Sequence, residues 1–175
     1  MTENKKIRNA TITKAKGITF KSKLEKCFYE TLLQQGFEPK YEFKTFVLFN
    51  GFTPITPFYD KETDSQKEKR EALEGEKKSS RQLVLKSAKV IPFRYTPDFF
   101  FKYKDYNVYI EAKGIENSVY YIKKKLFRKV LDDEYINTGV KSLFFEVYTK
   151  KQLLQAINII KEYGESTENN KGINS

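Results

Sequence analysis

The chain contains no histidine. That absence excludes histidine-based general acid–base chemistry, histidine-ligated zinc and every nuclease that depends on a catalytic histidine. A single cysteine, Cys27, allows neither an intramolecular disulfide nor a cysteine-rich zinc site, and reads as a small core residue. No apolar run approaches the ~18 residues needed to span a bilayer. The polar, Lys-rich start lacks the apolar stretch of a secretory signal. These features predict a soluble, cytoplasmic protein with no membrane partner and no small-molecule organic cofactor. Any metal it binds must sit on carboxylates, carbonyls and water, donors that suit Mg2+ or Mn2+.

What is present is positive charge and aromatic rings. The 175 residues suit one ordinary domain. They are 39% hydrophobic and 15% aromatic, mostly Phe and Tyr, which suffices for a buried core. The net charge of +10 favours a polyanionic partner, nucleic acid before an anionic membrane. The excess is +4 over residues 1–60, +3 over 61–90 and +3 over 91–150, while 151–175 balance. The charge therefore belongs to the folded body rather than to a tail, as a phosphate-tracking surface requires.

Residues 1–18 are polar and read as a flexible segment, followed by one domain over 19–164. Helical spacing of Leu24, Cys27, Phe28, Thr31 and Leu32 predicts a helix from Ser22, ended by Gly36. YEFKTFVLF, residues 41–49, predicts a strand. Charged residues then dominate about 60–80, which reads as a solvated loop or exposed helix inserted between strands. FRYTPDFFFKY and NVYIEAKG, joined by Lys104-Asp105-Tyr106, read as a β-hairpin. Val119, Ile122, Leu126 and Val130 predict a helix over about 117–131 with one buried face. SLFFEVYT, residues 142–149, reads as a strand. A last helix is capped by Thr149 with Gln152, carries Leu153, Ala156, Ile157 and Ile160 inward, and closes at Gly164. Residues 165–175 read as a disordered tail. There is no internal repeat. The order predicts an α/β domain with a mixed central sheet flanked by helices.

Side chains alternate across a strand, so in Tyr109-Ile110-Glu111-Ala112-Lys113 the side chains of Tyr109, Glu111 and Lys113 share a face. Val108, Ile110 and Ala112 take the other, toward the core. Asp98 begins the partner strand, and a tight hairpin brings it beside Glu111. Like charges that close raise one pKa unless a cation intervenes, and a divalent metal supplies that cation. Carboxylate-held metal and a neighbouring lysine are the elements of phosphodiester hydrolysis, with the lysine orienting or deprotonating water or stabilising developing charge.

Pro97-Asp98, twelve intervening residues and Glu111-Ala112-Lys113 resemble the motif of the PD-(D/E)xK nuclease superfamily. Phe20 through SKLE, YTPDF, IEAKG and the Lys-rich helix are similar to small phage-encoded nucleases related to Holliday junction resolvases and to the endonuclease subunit of some transposases. The resemblance covers about residues 18–150, without the 60–80 insertion. It implies a restriction-endonuclease-like αβββαβ core. It also implies ligation of one or two metal ions by Asp98, Glu111 and the Ala112 carbonyl, a catalytic role for Lys113, and a further catalytic or ligating Glu on the first helix, where Glu25 stands. A DNA endonuclease acting on branched or junction DNA is implied, with a role in DNA recombination. It would be a homodimer if two strands are cut symmetrically, and cytoplasmic in a bacterial host if phage-encoded.

Glu25 has a competing role, because Ser22-x-x-Glu25 is itself a capping box in which the carboxylate reaches back to the Ser22 amide. Lys123, Lys124, Lys125, Arg128 and Lys129 lie in a stretch without an acid from Ser118 to Val130. They read as a DNA-contacting surface, with Lys125 the candidate to enter the active site. Tyr103, Tyr106 and Tyr109 could stack on unpaired bases or simply pack the sheet. The alternatives to a nuclease are a catalytically inactive DNA-binding module on the same fold and a phage replication or packaging accessory module.

Overall fold

The computed structural model describes residues 11–75, 80–114 and 118–171. They form a mixed α/β structure of four helices and several small sheets. The chain opens on β1 (Thr13–Ala15) and β2 (Ile18–Phe20), an antiparallel hairpin. Residues expected to be flexible are therefore paired. Lys16 and Gly17, both at positive φ (49° and 78°), make the two-residue turn, whose twist matches that of the strands it joins. Residues 1–10 lie outside the described chain.

Helix α1 (Lys23–Gln34) follows, then β3 (Lys40–Tyr41), β4 (Phe46–Phe49), β5 (Tyr59–Lys61), α2 (Asp64–Glu74), β6 (Leu83–Leu85), β7 (Phe93–Tyr95), β8 (Phe99–Tyr103), β9 (Tyr106–Ala112), α3 (Ser118–Thr138), β10 (Lys141–Val147) and α4 (Lys150–Lys171). The expected strand over 41–49 is two strands, because Glu42 turns to φ 45° between them. The chain divides into two compact units. The first comprises residues up to Leu48 and from Arg94 on, and the second runs Phe49–Phe93. The insertion is thus wider than the charged stretch at 60–80 suggested.

In the first unit a four-stranded sheet runs β10-β9-β8-β3. β9 and β10 are parallel, connected through α3, while β8 is antiparallel to both β9 and β3. Both faces are covered. Val108 and Ile110 of β9, with Phe99 and Phe101 of β8, pack with Phe28 and Leu32 of α1 and Leu153, Ile157 and Ile160 of α4. The opposite face presents Tyr109, Phe100 and Phe144 to Phe127 and Leu131 of α3, with Phe46 of β4 and Tyr95 of β7. The four residues expected to face inward from the last helix, Leu153, Ala156, Ile157 and Ile160, are all buried. Gly164 does not close that helix, which runs on to Lys171. A Cβ at Gly164 would lie 2.5 Å from the Tyr103 ring, so this glycine is a notch for an aromatic side chain. Residues 172–175 lie outside the described chain.

Helix α3 buries a different face from the one its aliphatics predict. Val119 and Ile122 are 44% and 53% exposed, and the buried side chains are Tyr120, Phe127 and Leu131. The surface that α3 packs on is largely aromatic, formed by Phe46, Tyr95, Tyr109 and Phe144. Phe127 meets Phe46, Tyr95, Tyr109 and Phe144 edge-on, at centroid distances of 4.9, 4.9, 5.5 and 5.0 Å. Phe127→Ala should cost about 3–5 kcal/mol. At roughly 2–4 °C per kcal/mol for a chain of this size, the melting temperature should drop by about 6–20 °C in a thermal scan. A drop of a degree or two would show that α3 is not anchored there.

The second unit is organised around an ion pair instead of rings. β5 and β6 are antiparallel, Tyr59 opposite Leu85 and Lys61 opposite Leu83. Thr63 and Gln66 form a reciprocal capping box at the start of α2, a helix that buries no residue. Glu62 is 2% exposed and accepts from Arg70 Nε (3.1 Å), Arg70 Nη2 (2.6 Å) and the Gln82 amide (3.0 Å). Those contacts, led by Arg70, hold the Glu62 carboxyl below its usual range.

Candidate active site

The site forms at the carboxyl end of β9, on the sheet face covered by α3. The β8–β9 register pairs Phe99 with Ile110, so Asp98 stands opposite Glu111. Asp98 Oδ2 accepts from the Ala112 amide at 2.7 Å, which fixes one carboxylate against the neighbouring strand. Glu111 is buried, and each of its oxygens has a partner: Tyr95 Oη donates to Oε2 at 2.7 Å, and Lys113 Nζ to Oε1 at 2.6 Å. The Lys113 amide continues the ladder to the Val147 carbonyl at 2.8 Å, so the residue leaves the strand in register. Its ammonium also lies 3.5 Å from the centroid of the Tyr120 ring.

Electrostatics follow from this crowding. Burial, then the adjacent Glu111 charge, pushes the Asp98 carboxyl well above its usual range, although the Ala112 amide and Lys113 act against the shift. Burial pushes the Tyr95 and Tyr120 phenols up as well, with Glu111 the leading charge on each. Burial pulls Lys21 down, but ion pairing with Glu42 and the charges of Asp98 and Glu25 outweigh it, and its ammonium is held above the ordinary value.

Asp98, Glu111 and Lys113 open into a cleft of about 580 Å³, lined also by Lys21, Glu42, Thr45, Arg94, Val119, Tyr120 and Lys123. The lining thus holds four cations and three carboxylates, with Lys21 paired to Glu42 and Lys113 to Glu111. Among the described residues no three carboxylate, cysteine or histidine side chains gather into a set that could hold a metal ion. Two carboxylates nevertheless suit a hard divalent cation, which takes one or two of them and completes its shell with water and phosphate oxygens. The raised Asp98 carboxyl fits such a cation too, because a positive charge between the pair would relieve their repulsion.

Glu25 does not line this cleft. It is buried at the first turn of α1, where its amide donates to Ser22 Oγ and Ser22 Oγ donates to Glu25 Oε1. Its other oxygen accepts from Tyr41 Oη at 2.6 Å and from the Lys21 amide at 3.0 Å. The carboxylate therefore caps one residue further back than the Ser22 amide expected of it.

The basic residues of α3 do not share one face. Lys123 lines the cleft, a place expected for Lys125. Lys124 turns inward and pairs with Glu146 at 2.7 Å. Lys125 is exposed, with Nζ 4.4 Å from the Tyr121 ring centroid. Arg128 is exposed, and Lys129 is paired with Asp133. The tyrosines considered for base stacking pack the sheet: Tyr109 is buried beneath α3, Tyr103 against Phe37, and Tyr106 against Tyr163.

Sequence reasoning missed Tyr95, Lys21, Arg94 and Glu146. Glu146 aligns with Glu111 across the parallel β9–β10 pair, a register that no local pattern reveals. Tyr95 stands three residues before Asp98, a closeness that could have drawn attention to it. Comparison with protein-family models, with curated proteins and with solved structures returned no match.

Proposed function

We propose that the protein is a metal-dependent endonuclease that hydrolyses DNA phosphodiesters, with Asp98, Glu111 and Lys113 as its reactive core. The observation that carries this reading is the pair of abutting carboxylates with Lys113 bonded to one of them, at the floor of a cleft ringed by Lys21, Arg94 and Lys123. The order α1-β3-β8-β9-α3-β10 also agrees with an αβββαβ core of the restriction-endonuclease-like kind.

Asp98, Glu111 and the Ala112 carbonyl would hold Mg2+ or Mn2+. When bound, that ion would supply Lewis-acid stabilisation of the phosphate and a more acidic water. The chain's own groups do the rest. Lys21, Arg94 and Lys123 attract the phosphodiester and set its position. Lys113, fixed on Glu111, orients the attacking water or neutralises charge building on the phosphate. Tyr95 and the Ala112 amide keep the two carboxylates in place. Glu25, tied to Tyr41 and the Lys21 amide, braces the Lys21 side of the cleft and is a helix cap first.

A cleavage assay on duplex, single-stranded, flapped and four-way DNA, with Mg2+, Mn2+ or EDTA, tests the reading. Metal-dependent cutting is expected. Junction preference and a homodimer are the expectations carried by resemblance, and the four-way substrate reports on them. Cutting in EDTA would overturn the mechanism. A folded protein inert on every substrate, yet binding DNA with steep salt dependence, would favour the inactive DNA-binding module.

The basic residues of α3, Lys123 at the cleft and Arg128 outside it, make a second prediction. Lys123→Glu combined with Arg128→Glu should weaken DNA binding at least about tenfold near physiological salt. It should also flatten the dependence of log Kd on log salt by roughly one to two phosphates' worth. Unaltered affinity in a fluorescence-anisotropy titration would remove α3 from the DNA interface. Lys124→Glu is a poor probe of DNA contact, because it breaks the pair with Glu146.

A further inference from the structure

We propose that Tyr95 and Tyr120 are the positioning residues of the site, Tyr95 holding the Glu111 carboxylate through its hydroxyl and Tyr120 holding the Lys113 ammonium on its ring face. The inference rests on the nuclease reading and assigns the groups that set its geometry.

A buried carboxylate with one anchor can still rotate about its last bond. Glu111 has two, on opposite oxygens: the Tyr95 phenol at 2.7 Å and the Lys113 ammonium at 2.6 Å. Lys113 brings the opposite difficulty, a long flexible stem with three donors. Its Nζ is confined between Glu111 Oε1 and the Tyr120 ring, 3.5 Å from the centroid, where the negative face of the ring attracts a cation. Lys113, Tyr95 and Tyr120 all line the same cleft, so the clamp stands at the proposed reaction centre.

The two rings come from different elements, β7 and the first turn of α3. Their centroids lie 6.3 Å apart, with the ring planes tilted by 54°. Tyr95 also packs on Phe127 at 4.9 Å, so docking of α3 sets both clamps together. A phenylalanine would fill a purely packing role without the cost of burying a hydroxyl. At Tyr95 that cost is met by donation to Glu111.

The test uses the full chain with Tyr95→Phe, Tyr120→Phe and Tyr120→Leu. Tyr95→Phe should lower kcat about ten- to a hundredfold and weaken Mn2+ binding by a similar factor in calorimetry, as loss of a ligand's outer partner typically does. KM for DNA should stay within about threefold of wild type, because the phenol touches no phosphate-binding group. Tyr120→Phe keeps the ring face and should hold kcat within about threefold. Tyr120→Leu should lower kcat about tenfold. It should also remove the ring-current upfield shift of the Lys113 ε-methylene protons in NMR, a readout that needs neither metal nor catalysis.

A structural role alone predicts that phenylalanine is tolerated at both positions. Tyr95→Phe with wild-type kcat and Mn2+ affinity would overturn the carboxylate clamp. Tyr120→Phe behaving like Tyr120→Leu, or Lys113 ε-protons unmoved in Tyr120→Leu, would overturn the lysine clamp. A wild-type chain that neither cuts DNA nor binds Mn2+ would overturn the nuclease reading and the Tyr95 role with it, while the NMR shift would still decide the Lys113–Tyr120 contact.

Discussion

Asp98→Asn should abolish cleavage while making the metal-free protein more stable. The amide keeps an acceptor for the Ala112 N–H, so the local strand geometry survives. What it removes is a charge that burial and Glu111 both oppose. Loss of one preorganised electrostatic contributor costs about 10²–10³ in rate, and loss of a metal ligand should cost at least that. The same substitution relieves like-charge repulsion. A gain of about 1 kcal/mol would raise the melting temperature by roughly 2–4 °C in EDTA at neutral pH.

The pH dependence has a definite sign. The folded Asp98 carboxyl is held above its unfolded value of about 3.9. Between those two values the folded state binds the extra proton, so wild-type stability falls as pH rises through the window. The advantage of Asp98→Asn should therefore grow as pH rises from about 4 toward neutrality and vanish as pH is lowered to about 4. On the proposed ligand set, Mg2+ should raise the melting temperature of the wild type and leave the variant unmoved, because the variant lacks one of the two carboxylates that would hold the ion. A variant that melts below the wild type at pH 7 in EDTA would show that the carboxylate pair is not strained.

What the sequence revealed of the fold and the site depended on the range of the interaction. Strand alternation, a period of two, placed Glu111 and Lys113 on one face, and a short hairpin brought Asp98 beside them. The inward stripe of α4 was legible for the same reason, since Leu153, Ala156, Ile157 and Ile160 are aliphatic and their partners are too. On α3 the aliphatic pattern misled. The partner surface there is aromatic, and Tyr120 and Phe127 were chosen by the shape of Phe46, Tyr95 and Tyr109 rather than by hydropathy. Gly164 reads as a helix stop only until Tyr103, 61 positions earlier in the chain, is seen to need its missing Cβ. The inward turn of Lys124 depends on Glu146, brought alongside by a parallel crossover. Lys21 and Arg94 joined the cleft through tertiary placement alone, and no spacing rule marks them out among 33 basic residues.

Lys113→Ala should separate chemistry from binding in the direction opposite to Asp98→Asn. The lysine donates to Glu111, and its side chain is only 18% exposed. Its removal leaves the Glu111 carboxylate with Tyr95 alone. An inadequately paired buried acceptor costs about 1–3 kcal/mol, so the metal-free variant should melt roughly 2–12 °C below wild type. Metal binding should survive, because Asp98, Glu111 and the Ala112 carbonyl are intact and the competing ammonium has gone. Mn2+ should then recover more stability in the variant than in the wild type. Cleavage should nevertheless fall about 10²–10⁴-fold, the range for losing a positioned group that moves or holds a proton. DNA affinity should change little, because Lys21, Arg94 and Lys123 still ring the cleft. Lys113→Arg separates two roles for the ammonium. An arginine restores a fixed positive charge but does not give up a proton. Recovery of cleavage by Lys113→Arg would assign the residue to charge stabilisation, and continued loss would assign it to proton transfer or water orientation. Undiminished cleavage by Lys113→Ala would take the lysine out of the reaction altogether, leaving the carboxylate pair as the whole of the reactive core.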